Sequence, residues 1–160
     1  MAGEISQPGS LIDIPDDARR YPATPLVGVG ALIVQDSRIV LIRRAKPPSA
    51  GEWSIPGGLV RLGETLLQAV AREALEETGL QVEPVSLVEL LERIFPDKEG
   101  RIRHHYVLAD FLCRVTGGTL HAGSDASEAC WADESSLDEF GLPGITLQVV
   151  AKALQNAASL

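Results

Sequence analysis

The stretch Gly58-Leu59-Val60-Arg61-Leu62-Gly63-Glu64-Thr65-Leu66-Leu67-Gln68-Ala69-Val70-Ala71-Arg72-Glu73-Ala74-Leu75-Glu76-Glu77-Thr78-Gly79-Leu80 decides how the rest of the chain is read. It predicts a helix over 64–78, because Ala, Leu, Glu, Arg and Gln dominate and Gly79 supplies the C-terminal stop. At helical spacing, Leu66, Leu67, Val70, Ala71, Ala74 and Thr78 form an apolar stripe about 140° wide. Glu73, Glu76 and Glu77 fall in an adjoining arc at i,i+3 and i,i+4 spacing, so the three carboxylates are neighbours. Like charges so placed disfavour a helix by about 0.2–0.5 kcal/mol per exposed pair. They also sit at the helix end where the dipole opposes them. A compensating partner is therefore expected. Arg72 reaches Glu76 at i,i+4, and a hard divalent cation is the natural second partner. Mg2+ takes carboxylate oxygens, keeps several waters and bridges to phosphates. The alternative is a plain solvated acidic face, and the Gly-rich loop before the helix weighs against it.

Working outward, Leu26–Val34 is a short apolar, β-branched run that predicts a buried strand. Asp36-Ser37 turns the chain into a second strand, Ile39–Ile42, paired with the first as a hairpin. Residues 45–63 read as a Pro/Gly-rich loop, and loops of this length inside a domain usually carry function. After the helix come strands at about 83–94 and 102–115, joined by the turn Pro96-Asp97-Lys98-Glu99-Gly100. Gly117-Gly118 marks a turn before a short segment at 119–121. Cys130-Trp131-Ala132 is a last short strand, and helices are expected at about 134–140 and 145–158. This order is neither alternating βαβ nor all-β. It predicts an α/β fold with a mixed sheet covered by helices on both faces. Residues 1–24 lack sustained periodicity and read as an arm, partly disordered or packed on a partner.

The chain has 160 residues, which suits one domain. Lys plus Arg number 14 and Asp plus Glu 22, for a net charge of −8. That acidity excludes neither a small anionic substrate nor bound cations, but it weighs against nucleic-acid and membrane-surface partners, which need a basic face. Two cysteines without C-x-x-C spacing predict reduced thiols in the cytoplasm. No signal-like N-terminus or membrane-length apolar run is apparent.

The residues Gly58, Glu64 and Arg72-Glu73-Ala74-Leu75-Glu76-Glu77-Thr78-Gly79-Leu80 match every fixed position of a 23-residue signature, and Gly51-Glu52-Trp53-Ser54-Ile55-Pro56-Gly57-Gly58 resembles its usual lead-in. The chain thus resembles the Nudix hydrolases, with the box at 58–80 and the domain at about 25–158. The resemblance implies the Nudix fold, an α/β/α sandwich around a mixed central sheet. It also implies hydrolysis of a nucleoside diphosphate linked to another moiety, with Mg2+ or Mn2+ as cofactor. Glu73, Glu76 and Glu77 would hold the metal. Arg72 would orient a glutamate, Gly58 and Gly79 would shape the loop–helix–loop, and Glu64 would be a weaker or structural member. Arg61 departs from the acidic residue that many relatives carry there. Glu128 is one candidate general base, and Glu76 acting as both ligand and base is the other. Arg43 and Arg44, with Gly57 and Gly58, are candidates for substrate contact. Dimerisation is a further implication.

The likeness is strongest to the ADP-ribose pyrophosphatase-like branch, through Arg20-Tyr21-Pro22, Arg43–Pro48, His105-Tyr106-Val107 and Asp125–Trp131. Pro96, sixteen residues past the box, points the same way, although proline is expected in that turn anyway. The runner-up is a MutT-like (d)NTP pyrophosphohydrolase. A non-catalytic nucleotide-sensing module is the competing class. The isopentenyl diphosphate isomerase use of the fold would want a cysteine and further ligands that Cys113 and Cys130 do not obviously supply. His104 and His105 alternate across a strand, so a shared metal is not expected. Trp53 and Trp131 read as core or wall, and Gly28-Val29-Gly30 as a site of close packing in the sheet rather than a dinucleotide fingerprint.

Overall fold

The computed structural model describes residues 16–47, 49–123 and 125–160. Seven strands and two α-helices follow one another as β1 (Leu26–Gln35), β2 (Arg38–Arg44), β3 (Trp53–Ser54), β4 (Gly57–Leu59), α1 (Leu66–Thr78), β5 (Leu80–Pro96), β6 (Ile102–Gly118), β7 (Ala126–Asp133) and α2 (Gly144–Ala158). The sheet is mixed. β1 runs parallel to β6 and antiparallel to β2 and β4. β5 and β6 form the expected long hairpin, and β7 pairs with β2.

β1 is the hub, and its sequence shows why. Its interior is buried on both faces, which requires an uninterrupted apolar run rather than alternation. Val29, Ala31 and Ile33 pack with Ala69, Val70 and Ala74 of α1 on one face. Leu32 packs with Val149, Val150, Ala153 and Leu154 of α2 on the other. The α/β fold with a mixed, two-sided sheet is therefore as expected.

Several local expectations need correction. The hairpin of β1 and β2 is brief, pairing at Val34 with Ile39 and Gln35 with Arg38. β2 then turns to β7, while the first half of β1 turns to β4. The 45–63 loop contains β3 and β4, strands of two and three residues that exist through pairing with β2 and β1. Strands that short have no periodicity to detect. The short segment at 119–121 has no regular secondary structure. Its His121 N–H donates to Thr78 O, and the Gly123 N–H donates to Glu77 O, so this segment caps the exposed carbonyl end of α1. The first closing helix is a 3-10 turn at Glu134–Phe140.

The helix begins at Leu66, two residues later than expected, with Thr65 as N-cap. The Gln68 N–H donates to Thr65 Oγ1 at 3.2 Å and the Thr65 N–H to Gln68 Oε1 at 2.9 Å, a complete capping box. The buried stripe is also rotated from the expected one. Leu66 and Leu67 are exposed, whereas Ala69, Val70, Ala74, Thr78 and Glu77 are buried. Small alanines let the helix approach the sheet closely, and that approach carries Glu77 inside. At the other end Gly79 has φ 71° and lies against the His121 ring, where a Cβ would collide.

Of the arm, residues 1–15 lie outside the described residues. Residues 16–24 dock on the tip of the β5–β6 hairpin. The Tyr21 N–H donates to Arg103 O at 2.8 Å and its hydroxyl to Asp97 Oδ2 at 2.9 Å. No helix among the described residues is long and apolar enough to cross a membrane.

Thr65→Ala removes the side-chain half of the capping box. It is expected to cost about 1 kcal/mol of stability, read as a lower urea midpoint with an unchanged slope.

Candidate active site

The carboxylates of α1 meet the β4 loop at its glycines. The Gly57 N–H donates to Glu77 Oε2 at 2.8 Å. The Glu73 carboxylate lies against the Cα of Gly58, and any Cβ there would collide with it. Gly57 itself crosses β1 so closely that a Cβ would strike the Val29 carbonyl. The Gly-Gly pair is thus fixed by two close approaches, one to the central strand and one to the helix carboxylates.

Arg72 ties the set together. Its Nε donates to Glu64 Oε1 at 2.6 Å and its Nη2 to Glu64 Oε2 at 3.0 Å, a bidentate pair. Nη1 donates to Glu73 Oε1 at 2.6 Å and to Glu76 Oε2 at 3.2 Å. Nη2 also donates to Leu59 O at 3.0 Å, which joins the helix to β4. Glu64 lies before the helix, not within it, and its Oε2 accepts the Arg61 N–H at 2.9 Å. The Arg72 hydrogen bonds hold the Glu64 carboxyl below its ordinary range. Arg61 stands where an acidic residue was noted as usual, and its guanidinium lies 3.6 Å from Glu76 Oε1.

Glu73 and Glu77 are in the opposite situation. Burial raises the Glu73 carboxyl, against the hydrogen bond from Arg72. Burial pushes Glu77 up to about 8, with Glu73 and Asp125 adding repulsion and the Gly57 N–H and Arg44 opposing it. For both carboxyls the cost of burial outweighs the positive charge the protein places near them. Glu76 is the more open member, with a side chain 38% exposed.

A divalent cation fits this donor set. The glycine cradle leaves room for the Glu73 carboxylate, and the repulsion at Glu77 calls for positive charge. Among the described residues the acidic side chains do not converge as a ready-made cage, since Arg72 stands between Glu64, Glu73 and Glu76. Mg2+ needs only one or two protein carboxylates, with waters and phosphate oxygens completing its shell.

The adjacent arginines have separate environments. Arg43 is held in place: its Nε donates to Gly51 O at 2.9 Å and its Nη1 to Glu128 Oε1 at 3.3 Å. Glu128 is its register partner across β2 and β7 and is half exposed. Arg44 has a buried Nε without a hydrogen-bond partner, and its charge acts on Glu77. Asp125 was not singled out from the sequence. It pairs with Lys46 at 2.5 Å and acts on Glu77, yet its position in a connecting turn gives no signal of this.

Trp53 makes an edge contact with Phe140 and Trp131 lies under Arg38, so both serve as walls. His104 stacks on Tyr106 and its Nδ1 donates to Arg19 O at 3.0 Å, away from any metal role.

The sequence also matches a known family. The NUDIX domain model matches residues 24–151, and the chain belongs to the Nudix hydrolase family. It is 41% identical over 113 residues to an ADP-ribose pyrophosphatase of Methanocaldococcus jannaschii, covering 71% of this chain and 64% of that one. It is 31% identical over 125 residues to a MutT-like protein of Streptomyces ambofaciens, covering 78% and 74% of the two chains. The crystal structure of a MutT NUDIX hydrolase from Burkholderia pseudomallei superposes with a TM-score of 0.70 at 31% identity, over 81% of this chain and 98% of that one. The chain thus spans just under two thirds of the archaeal relative it matches.

The Glu77 group sets a pH dependence in the metal-free protein. Its folded pKa lies above the ordinary carboxylate range, so the stability it lends is complete below that range and lost as pH rises through about 8. Melting in the presence of a chelator should therefore fall between pH 6 and 9 (roughly). Glu77→Gln should flatten that slope and melt higher than the parent at the alkaline end.

Proposed function

We propose that the chain is a divalent-cation-dependent pyrophosphohydrolase acting on a nucleoside diphosphate linked to another moiety, with ADP-ribose or a similar nucleoside diphosphate sugar as substrate. The observation that carries this reading is the placement of Glu73 and Glu77 against the Gly57-Gly58 backbone beside Glu76, with burial raising the carboxyls of Glu73 and Glu77.

Nudix hydrolases generally use divalent metals, and Glu73, Glu76 and Glu77 are the residues that would hold Mg2+ or Mn2+ here. The bound cation would neutralise phosphate oxygens and acidify a water. Arg72 holds Glu64, Glu73 and Glu76 in fixed rotamers. Gly57 fixes Glu77 by its N–H. Arg44, whose charge acts on Glu77, is the cation we assign to a substrate phosphate. Arg43 positions the 51–52 loop instead. Glu76 is the favoured general base, because it belongs to the carboxylate cluster of α1, whereas Glu128 lies on β7 opposite Arg43.

The archaeal relative's name supports ADP-ribose, as does Pro96. The MutT-like likenesses support a (d)NTP as the second reading. A nucleotide sensor is disfavoured by the intact carboxylate set. We place the protein in the cytoplasm as a homodimer, with Leu87, Leu90 and Ile94 on the exposed side of β5 as the apolar surface available to a second copy.

A panel of ADP-ribose, nucleotide sugars, dinucleoside polyphosphates, NADH and (d)NTPs with Mg2+ or Mn2+ tests the reading. ADP-ribose is expected to give AMP and ribose 5-phosphate. Glu76→Gln should lower turnover by about 100-fold or more with the fold intact. Arg44→Ala should raise KM by about tenfold, the loss of one charge-assisted hydrogen bond. Full activity in Glu76→Gln, or no metal-dependent cleavage across the panel, would contradict the proposal.

A further inference from the structure

Arg61, which stands where many relatives carry an acid, is turned inward by the connection between β4 and α1. The Glu64 N–H donates to Arg61 O at 3.0 Å, and the Arg61 N–H donates to Glu64 Oε2 at 2.9 Å. Gly63, at φ 83°, closes this tight turn. Glu64 is itself gripped in two places by Arg72. The backbone of Arg61 is thus pinned to the same guanidinium that orders the helix carboxylates. Leu62 is left 98% exposed, whereas the Arg61 side chain is only 16% exposed.

The inward path leads to Glu76. Arg61 Nη2 lies 3.6 Å from Glu76 Oε1, and Arg72 Nη1 donates to Glu76 Oε2 at 3.2 Å. Each oxygen of Glu76 therefore faces a guanidinium, and the two contacts differ in kind. Arg72 is committed, since it also holds Glu64, Glu73 and the Leu59 carbonyl. Arg61 meets Glu76 beyond hydrogen-bond reach, as an ion pair. Its charge also favours the ionised forms of Glu64 and Glu73.

This arrangement competes with Glu76 as a cation ligand. Oε2 accepts from Arg72, so Oε1 is the atom left for a divalent cation. A dication and a guanidinium at the same oxygen repel, and a part-buried setting screens them poorly. Arg61, the contact made without a hydrogen bond, is the one that yields. Its backbone stays pinned, so the guanidinium remains beside the carboxylates, where an anionic substrate comes to the cation. Its paired N–H donors match a phosphate. Arg44 acts on Glu77 and Arg61 lies against Glu76, so the two arginines attend different acids of the cluster.

We propose that Arg61 competes with the divalent cation for Glu76 and, once displaced, binds a phosphate of the substrate. The proposal rests on the pyrophosphohydrolase reading and adds a substrate-binding residue to it. Removing the charge should have two opposite effects. Calorimetric titration with Mn2+ alone should show Arg61→Gln binding about tenfold tighter than the parent. At saturating Mn2+, the same variant should show a KM raised about tenfold, the loss of one charge-assisted contact. The compound used is the one of the panel that the parent cleaves best, ADP-ribose as proposed. A damaged fold does not tighten metal binding, so the first effect cannot arise from misfolding. Arg61→Met carries the same two expectations, should Arg61→Gln fail to fold. Arg61→Lys keeps the charge without the fork and should leave Mn2+ affinity near that of the parent while raising KM. Mn2+ affinity unchanged or weaker in the uncharged variants, equal tightening in Arg61→Lys, or an unchanged KM would each overturn the inference while the parent's metal-dependent cleavage leaves the hydrolase reading intact. A parent that cleaves nothing in the panel would overturn that reading instead, and the Mn2+ affinities, read without turnover, would still decide the competition at Glu76.

Discussion

The guanidinium of Arg72 is the joint on which the site depends. It binds Glu64 in two places, reaches Glu73 and Glu76, and bonds the carbonyl of Leu59. Charge-assisted bonds of this kind are among the strongest available to a protein, and the planar fork fixes direction as well as distance. Without it, three acids on one arc of α1 would repel one another next to the buried stripe. With it, they are held in fixed orientations against β4. A lysine could supply the charge but not the fork.

The fold places that joint. α1 lies close to β1 because Ala69 and Ala74 are small, and the same closeness buries Glu77. The Gly57-Gly58 pair lets β4 lie close both to β1, its sheet neighbour, and to the Glu73 carboxylate. The segment at 119–123 then caps the carbonyl end of the helix, near which the acids sit. Strain from burying carboxylates is thus set up by ordinary packing choices, and on the proposed reading a bound cation would relieve it. Arg44, whose buried Nε has no hydrogen-bond partner, adds positive charge beside Glu77.

Much of this was legible before any coordinates. The spacing of Glu73, Glu76 and Glu77 required compensation, the long Pro/Gly-rich loop before the helix pointed to function, and the strand order limited the architecture. What was not legible depended on long-range pairing. β3 and β4 have no pattern of their own and exist because β2 and β1 offer edges. Leu66 and Leu67 look like core residues on a helical wheel, yet the helix meets the sheet through alanines. Arg43 and Arg44 are neighbours in sequence, but one is tied to Glu128 and Gly51 and the other has a buried, unpartnered Nε and acts on Glu77.

The central claim is that the buried carboxylates of α1 form a cation site whose occupancy relieves their repulsion. Calorimetric titration of the protein with Mn2+ at pH 7.5 (roughly neutral), alongside melting of the same samples, addresses it directly. The account predicts saturable binding with proton release and a rise in melting temperature, both strongly reduced in Glu73→Gln and Glu77→Gln. Absence of binding in the parent, or equal binding in these variants, would contradict it.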